Sequence, residues 1–475
     1  MFVSKSDELT RRAFLRRSGQ LAAVGSASAY AMGLAGLADA AAFAPGDDYK
    51  ALVCIFLYGG NDHANTLIPY DSANYERYAA IRGGGSGQAG IAIPHERLHA
   101  TVLNPRGRQV LTDDMRLALA PTMPRMKALF DAGDMAPLLN VGPLLTPLTR
   151  AQYDNGNLTS FPRPPKLFSH NDQQSTWQAY GPEGAARGWG GRIGDLALST
   201  NNNAMFTTIN ASGNAVFLSG QNAVPYQVSP GGAVLIRGLS NRVYGSTAVR
   251  DALQSLVETH HGHVLGADYQ NALARSITYS GFVNDALEGS PAATRFGEGN
   301  KLAAQLSAVA QLIASRSELN VRRQVFLVSM GGFDNHDNLI GQHEGLLGAL
   351  DEAVDGFQTA MAAIGMRDAV TTFTASDFGR TLASNGDGSD HGWGSHHFVV
   401  GGAVQGGRFY GRAPEISVEG NDQVGRGRLL PTASVDEYSA TLARWFGVSE
   451  GDIGLVAPNL GRMATRDLGF MTPPD

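Results

Sequence analysis

Cysteine is all but missing from this chain. Its 475 residues hold one, Cys54, so an intramolecular disulfide is impossible and the fold must rest on burial and hydrogen bonding. Cys54 lies within Ala51-Leu-Val-Cys-Ile-Phe-Leu-Tyr58, where it reads as a small core residue rather than a reactive thiol. An excess of positive charge is missing too. Lys and Arg number 37 against 43 Asp and Glu, a net charge of −6, so the phosphate neutralisation that nucleic-acid binding needs has no source. Beyond the N-terminus, no apolar run is long enough to span a bilayer. Glycine, by contrast, is abundant at 59 residues, which predicts a loop-rich molecule, and 43% hydrophobic residues supply an ordinary globular core.

The N-terminus reads as an address. Thr10-Arg-Arg-Ala-Phe-Leu-Arg16 precedes a weakly apolar, Ala- and Gly-rich stretch from Leu21 to Leu37 and then Ala38-Asp-Ala40, the arrangement of a twin-arginine export signal cleaved after about residue 40. Periplasmic or secreted placement follows, with no membrane span once the signal is removed.

The remainder, 45–475, is read as one catalytic body, since neither an internal repeat nor a clean linker interrupts it. Apolar runs at 51–58, 136–141, 324–330, 369–375 and 398–402 read as buried strands. Between them, Leu302, Leu306, Val309 and Ile313, and then Leu346, Leu350, Val354, Phe357 and Met361, recur at helical spacing. Strands alternating with helices predict an α/β fold, a mainly parallel sheet with helices on both faces. Residues 185–290 are a possible inserted cap. Ser434 and Glu437 are spaced as a capping box for a helix closing at Gly447.

Ligands of open α/β sheets bind beyond the carboxyl ends of the strands, so polar residues there carry information. Asp62 follows the first strand, Asp334 and His336 follow the strand ending at Met330, and Asp377 follows the strand ending at Ala375. Asp390 and His391 lie in the loop before Phe398. Mixed Asp and His donors suit zinc, manganese or a similar divalent ion, one or two of them, better than calcium or magnesium. His396 and His397 are weaker candidates, because one must face away if Phe398 begins a strand. His260, His261 and His263 have no carboxylate nearby and read as a solvated patch.

Phe56-Leu-Tyr-Gly-Gly-Asn-Asp62 with Asn65, Thr66 and Pro69, then Ser169-His170, Gly332-Phe-Asp-Asn-His336, Ser376-Asp-Phe-Gly-Arg-Thr381 and Asp390-His-Gly-Trp-Gly394 together resemble the DUF1501 proteins. That family is grouped with the alkaline phosphatase and sulfatase superfamily. The resemblance implies an alkaline phosphatase-like sheet holding one or two divalent metals, with a hydroxyl or thiol nucleophile at a helix start. Carried over, Asp62 looks like the first-strand ligand, Asp334 with His336 the second ligand group, and Asp377 and His391 the remainder. The superfamily often has His directly after the later Asp, whereas this chain has Phe378.

Ser169 at a helix start resembles the nucleophile position, with Thr66 as rival, and His170 with Arg380 would stabilise the charge that develops. The sulfatase Cys/Ser-x-Pro-x-Arg motif is absent from Ser169-His-Asn-Asp-Gln173. Arg380 is placed either to hold two oxygens of a phosphate or carboxylate, or to pair with Asp377 or Asp390. The function implied is metal-dependent hydrolysis of a phosphoester or related anionic ester, small or polymer-borne. The alternative is a non-catalytic exported binding or assembly protein.

Overall fold

From Ala51 onward every residue of Lys50–Leu57 is buried, as a strand covered on both faces requires. In the computed structural model, which describes residues 48–83, 90–213, 215–233, 246–258, 280–287 and 296–473, this strand is β1, at the middle of a ten-stranded sheet. The expected export signal and His260, His261 and His263 fall outside the described residues. No helix among the described residues is long and apolar enough to cross a membrane.

In chain order the other strands are β2 (Leu67–Pro69), β3 (Leu117–Leu119), β4 (Met135–Gly142), β5 (Thr208–Asn210), β6 (Tyr226–Ser229), β7 (Gly232–Ala233), β8 (Arg323–Met330), β9 (Val370–Ser376), β10 (Arg380–Ser384), β11 (Ser389–His391), β12 (Ser395–Val400), β13 (Tyr410–Gly411) and β14 (Ala433–Ser434). The main sheet runs β13-β4-β12-β9-β1-β8-β5-β6-β7, with β14 also on β4, while β2–β3 and β10–β11 form separate pairs. Six of its nine pairings are parallel; β12 runs against both β4 and β9, and β7 against β6. The fold is thus α/β with a mainly parallel sheet.

The helices that matter here are α1 (Ser72–Arg82), α2 (His170–Ala179), α3 (Trp189–Ala197), α4 (Lys301–Ala314), α5 (Leu339–Ala363) and α6 (Val435–Phe446). Side chains alternate across a strand, so β1 feeds two cores. Ala51, Val53, Ile55 and Leu57 join Leu306, Val309, Leu350 and Phe357 from α4 and α5. Leu52, Cys54 and Phe56 join Trp177, Trp189 and Leu442 from α2, α3 and α6 on the other face. Cys54 is a buried free thiol, as its neighbours demand. The expected capping box is present: Ser434 Oγ accepts from Glu437 N at 3.0 Å, and a Glu437 carboxylate oxygen accepts from Ser434 N at 2.7 Å. Gly447, at φ +113°, ends that helix.

The expected cap requires correction. In its described part, β5 pairs with β8, Thr208 opposite Val325, and β6 and β7 continue the same sheet edge. Ile209, fully buried, supplies the reason: burial in the main core holds this stretch in the sheet rather than above it.

Candidate metal centre

β1, β8 and β9 end level, with Leu57 opposite Met330 and Ser376, so the loops after them share one edge. The loop after β1 must cross close to the loop after β8. At Gly59, φ +116°, a Cβ would sit 2.4 Å from Asp334 N, which only glycine avoids. α2 brings His170, its first residue, to the same edge.

Three imidazoles and a carboxylate meet there. His391 Nε2 lies 3.0 Å from His170 Nε2 and 2.8 Å from His336 Nε2. Asp334 Oδ1 is 3.3 Å from His391 Nε2 and 3.1 Å from His336 Nε2, and its Oδ2 is 3.3 Å from His170 Nε2. One ligand atom from each of His170, Asp334 and His391 can be chosen so that all lie within 4.8 Å of one another.

What stands behind each ring fixes its chemistry. His170 Nδ1 donates to Asp377 Oδ2 at 2.6 Å, and His391 Nδ1 donates to the Phe168 carbonyl at 2.8 Å. A carboxylate and a carbonyl can only accept, so in the neutral rings both Nε2 atoms carry lone pairs, 3.0 Å apart. Such a contact needs a cation or a proton between them. Asp390 stands behind His336, its Oδ1 3.4 Å from Nδ1. Imidazoles steered through Nδ1 so that Nε2 faces inward are the arrangement metal sites use. Ligands about 2.0–2.1 Å from a tetrahedral zinc are roughly 3.3–3.4 Å apart, close to the spacings here. The residues present therefore fit a small divalent ion.

The electrostatics differ from ring to ring. The hydrogen bond to Asp377 holds the pKa of His170 above its ordinary value, against the opposing effect of burial. His391 is pushed down by burial, which outweighs the Phe168 carbonyl. Burial raises Asp334, but the Arg380 guanidinium, 2.7 Å away, holds its carboxyl below the usual range. Positive charge is thus favoured on His170 and disfavoured on His391.

Several assignments change. Asp377, expected as a ligand, is fully buried, and its Oδ2 accepts from His170, from Gln174 Nε2 at 2.8 Å and from Gly59 N at 3.2 Å. It stands behind His170 rather than at the meeting point of the rings. Asp390 likewise turns outward, to His336, Asn385 and Arg426. Asp62 is spent on a structural network: it caps Asn65 N at 2.9 Å and takes Arg82 and Ser389 Oγ, both at 2.7 Å. The Arg380 guanidinium is buried against Asp334, the Gly59 carbonyl and Ser389, so neither the substrate clamp nor the pair with Asp377 or Asp390 forms. Thr66 is buried, its hydroxyl donating to the Asp62 carbonyl. Phe378, also buried, packs beneath the rings of His170 and His391 at 4.8 and 4.7 Å.

Ser169 is the N-cap residue of α2, and its hydroxyl donates to Asp172 Oδ2 at 2.9 Å. His396 and His397 are both buried on β12, facing opposite sides: one meets the His63 ring, the other the Trp177 ring. Sequence reasoning missed Gln174 and Phe168. Gln174 lies four residues after His170, the spacing that puts both on one helix face. A backbone carbonyl such as that of Phe168, at φ +74°, leaves no mark in residue type.

The family described as "Protein of unknown function (DUF1501)" matches residues 49–433. The chain belongs to the DUF1501 family. No curated protein matches this DUF1501 chain. Among solved structures it is similar to Ps i-CgsB in complex with k-i-k-neocarrahexaose, at 10% identity over 87% of this chain and 75% of that one, with a TM-score of 0.36. It is also similar to the lipoteichoic acid synthase LtaP from Listeria monocytogenes, at 10% identity over 86% and 76%, TM-score 0.32. A third is the soluble domain of lipooligosaccharide phosphoethanolamine transferase A from Neisseria meningitidis, at 9% identity over 87% and 94%, TM-score 0.34.

Proposed function

We propose that this protein is an exported, metal-dependent hydrolase of a phosphoester or a related anionic ester, small or polymer-borne. The observation that carries the reading is the convergence of His170, His391 and Asp334 ligand atoms, with both imidazoles steered from behind by strong acceptors. His336 stands beside this set, its Nε2 2.8 Å from His391 Nε2. A bound divalent ion such as zinc or manganese would polarise an ester oxygen and offset charge developing on it.

The chain's own groups account for the remaining steps. Ser169 Oγ already points its proton at Asp172, so the carboxylate can take that proton as the oxygen attacks the ester phosphorus. The bond from phosphorus to the leaving oxygen then breaks and the alcohol takes a proton from solvent. Water next attacks the phosphorus, the bond to Ser169 Oγ breaks, and that oxygen takes its proton back from Asp172 while the water's second proton goes to solvent. Lys166 and Arg426, exposed by 67% and 48%, stand beside Asp172 and Asp390, and Arg428 lies 4.9 Å over the Phe168 ring. These rim cations favour an anionic substrate. Export rests on the twin-arginine run at Arg11 and Arg12, and the absence of a basic excess speaks against nucleic acid.

The test is elemental analysis of the purified protein together with hydrolysis of p-nitrophenyl phosphate, bis(p-nitrophenyl) phosphate and p-nitrophenyl sulfate, with and without a chelator. Expected are a bound divalent ion, and phosphoester cleavage lost on chelation and in His170→Ala and Asp334→Ala. Ser169→Ala should lose turnover while keeping the metal. A protein that binds no divalent ion overturns the reading. One that binds it but cleaves none of the esters supports a binding or assembly role on the same fold.

A further inference from the structure

His391 ends the β10–β11 pair and is gripped at two points by residues from outside it. Its Nδ1–H donates to the Phe168 carbonyl at 2.8 Å, and its own main-chain carbonyl accepts from Arg428 Nε at 2.7 Å. The two grips also touch each other, since the Arg428 guanidinium lies 4.9 Å over the Phe168 ring. Phe168, Arg428 and His391 thus close a ring of contacts drawn from separate stretches of chain.

The backbone holds both partners in place. Phe168 sits at φ +74° and Lys166 at φ +49°, a left-handed conformation that residues with side chains rarely adopt and that persists where the surrounding structure over-determines it. Arg428 closes a turn, its N–H donating to the Gly425 carbonyl at 3.1 Å and its carbonyl accepting from Val424 N at 2.8 Å. Within that turn Gly427, at φ +72°, is pressed onto β10 so closely that a Cβ would meet Leu382 Cβ at 2.5 Å. A guanidinium stacked on a ring keeps its in-plane N–H groups free, so Arg428 can cover Phe168 and still donate from Nε. Lysine cannot do both, because it has a methylene where Nε stands.

We propose that Phe168 and Arg428 act as one latch that positions His391: the guanidinium pins the residue whose carbonyl holds Nδ1, and Nε2 keeps its inward aim. Both are positioning residues, acting through His391. Their role rests on the reading of His391 as a metal ligand, yet the latch can be observed without metal.

The test uses metal-stripped protein carrying nitrogen-15 histidine, in long-range proton–nitrogen spectra at pH 8, with His391→Gln identifying the signal. The unaltered protein should show His391 protonated at Nδ1 alone. Arg428→Lys, which keeps the charge, and Phe168→Leu, which keeps the carbonyl, should each give a mixture of the two tautomers, while Phe168→Tyr should match the unaltered protein. Zinc affinity by chelator competition should fall about tenfold in each of the first two variants. In the double variant the loss should still be about tenfold rather than a hundredfold, because both changes open the same latch. Circular dichroism should show every variant folded. A protein that binds no zinc takes down the hydrolase reading alone, and the tautomer spectra then decide the latch. The latch is overturned if Arg428→Lys leaves His391 wholly Nδ1-protonated, or if the two losses of affinity multiply in the double variant.

Discussion

Asp377→Asn and Asp377→Ala separate a residue that steers a metal ligand from one that merely holds the fold. Asp377 accepts three hydrogen bonds, and all of them land on Oδ2, while Oδ1 is buried without a partner. An asparagine can therefore place its carbonyl oxygen where Oδ2 stands and keep all three donors, losing only the negative charge behind His170. Partners of this kind contribute about 10- to 100-fold to metal affinity, or roughly 1.4–2.8 kcal/mol. The asparagine variant should fall near the lower bound. Alanine strands the His170 Nδ1–H and frees the ring to turn, so it should reach the upper one. Stability of the metal-free protein should move differently. A buried carboxylate replaced by an amide of the same shape sheds desolvation cost, so the melting temperature of Asp377→Asn should hold or rise. Zinc and manganese titrations on chelator-stripped protein, paired with scanning calorimetry, read the two quantities separately. Affinity unchanged within twofold in the alanine variant would refute the reasoning, as would an asparagine variant that loses affinity and stability together.

Asp62→Asn should do the reverse, leaving metal affinity intact while costing about 3–5 kcal/mol in denaturant unfolding, because it strands the fully buried Arg82 guanidinium; a large loss of metal affinity would return Asp62 to the ligand set. Burial pushes the pKa values of His63 and His343 down to about 4 and of His397 to about 3, and His396 falls well below its ordinary value. These bases are neutral when folded and protonate when unfolded, so their stability contribution is full above about pH 6.5 and lost as pH falls toward 4, at up to about 5 kcal/mol per pH unit for four protons. Urea midpoints at pH 7.5 and 5.5 should show that fall, and a midpoint flat across the range contradicts it. Burial raises Asp436 to about 7, against the opposing N–H of Asn459 at 2.7 Å. A raised acid weakens the folded state as pH climbs from about 4 to 7, so Asp436→Asn should melt higher than the parent protein at pH 8, with the gap shrinking toward pH 5; a gap of constant size removes the titration as its cause.

The sheet was legible because its strands are buried on both faces. A run such as Ala51-Leu-Val-Cys-Ile-Phe-Leu57 has no polar face to confuse with a helix, and the five apolar runs read from the sequence fall on β1, β4, β8, β9 and β12. The expected cap was misjudged because short strands such as Thr208–Asn210 carry too few residues for alternation to show which surface they pair with. The same reasoning drew attention to the strand ends and to the Asp390–His391 loop, where Asp334 and His391 do come together.

It went astray at the level of a single bond rotation. Aspartates 62, 334 and 377 each follow a strand of the same parallel set, yet only Asp334 turns its carboxylate to the meeting point of the rings. Asp62 is drawn away by Arg82, a helix residue 20 positions on, and Asp377 is claimed by donors from α2 and from Gly59. What decides which carboxylate reaches the rings is therefore which donors arrive behind each, and those come from distant parts of the chain. Phe378 makes the point in reverse. An apolar ring where an imidazole was expected fills the space under His170 and His391, so it removes a donor and at the same time stiffens the two that remain. The inward nitrogens of His170 and His391 are thus ordered by the packing of the protein itself.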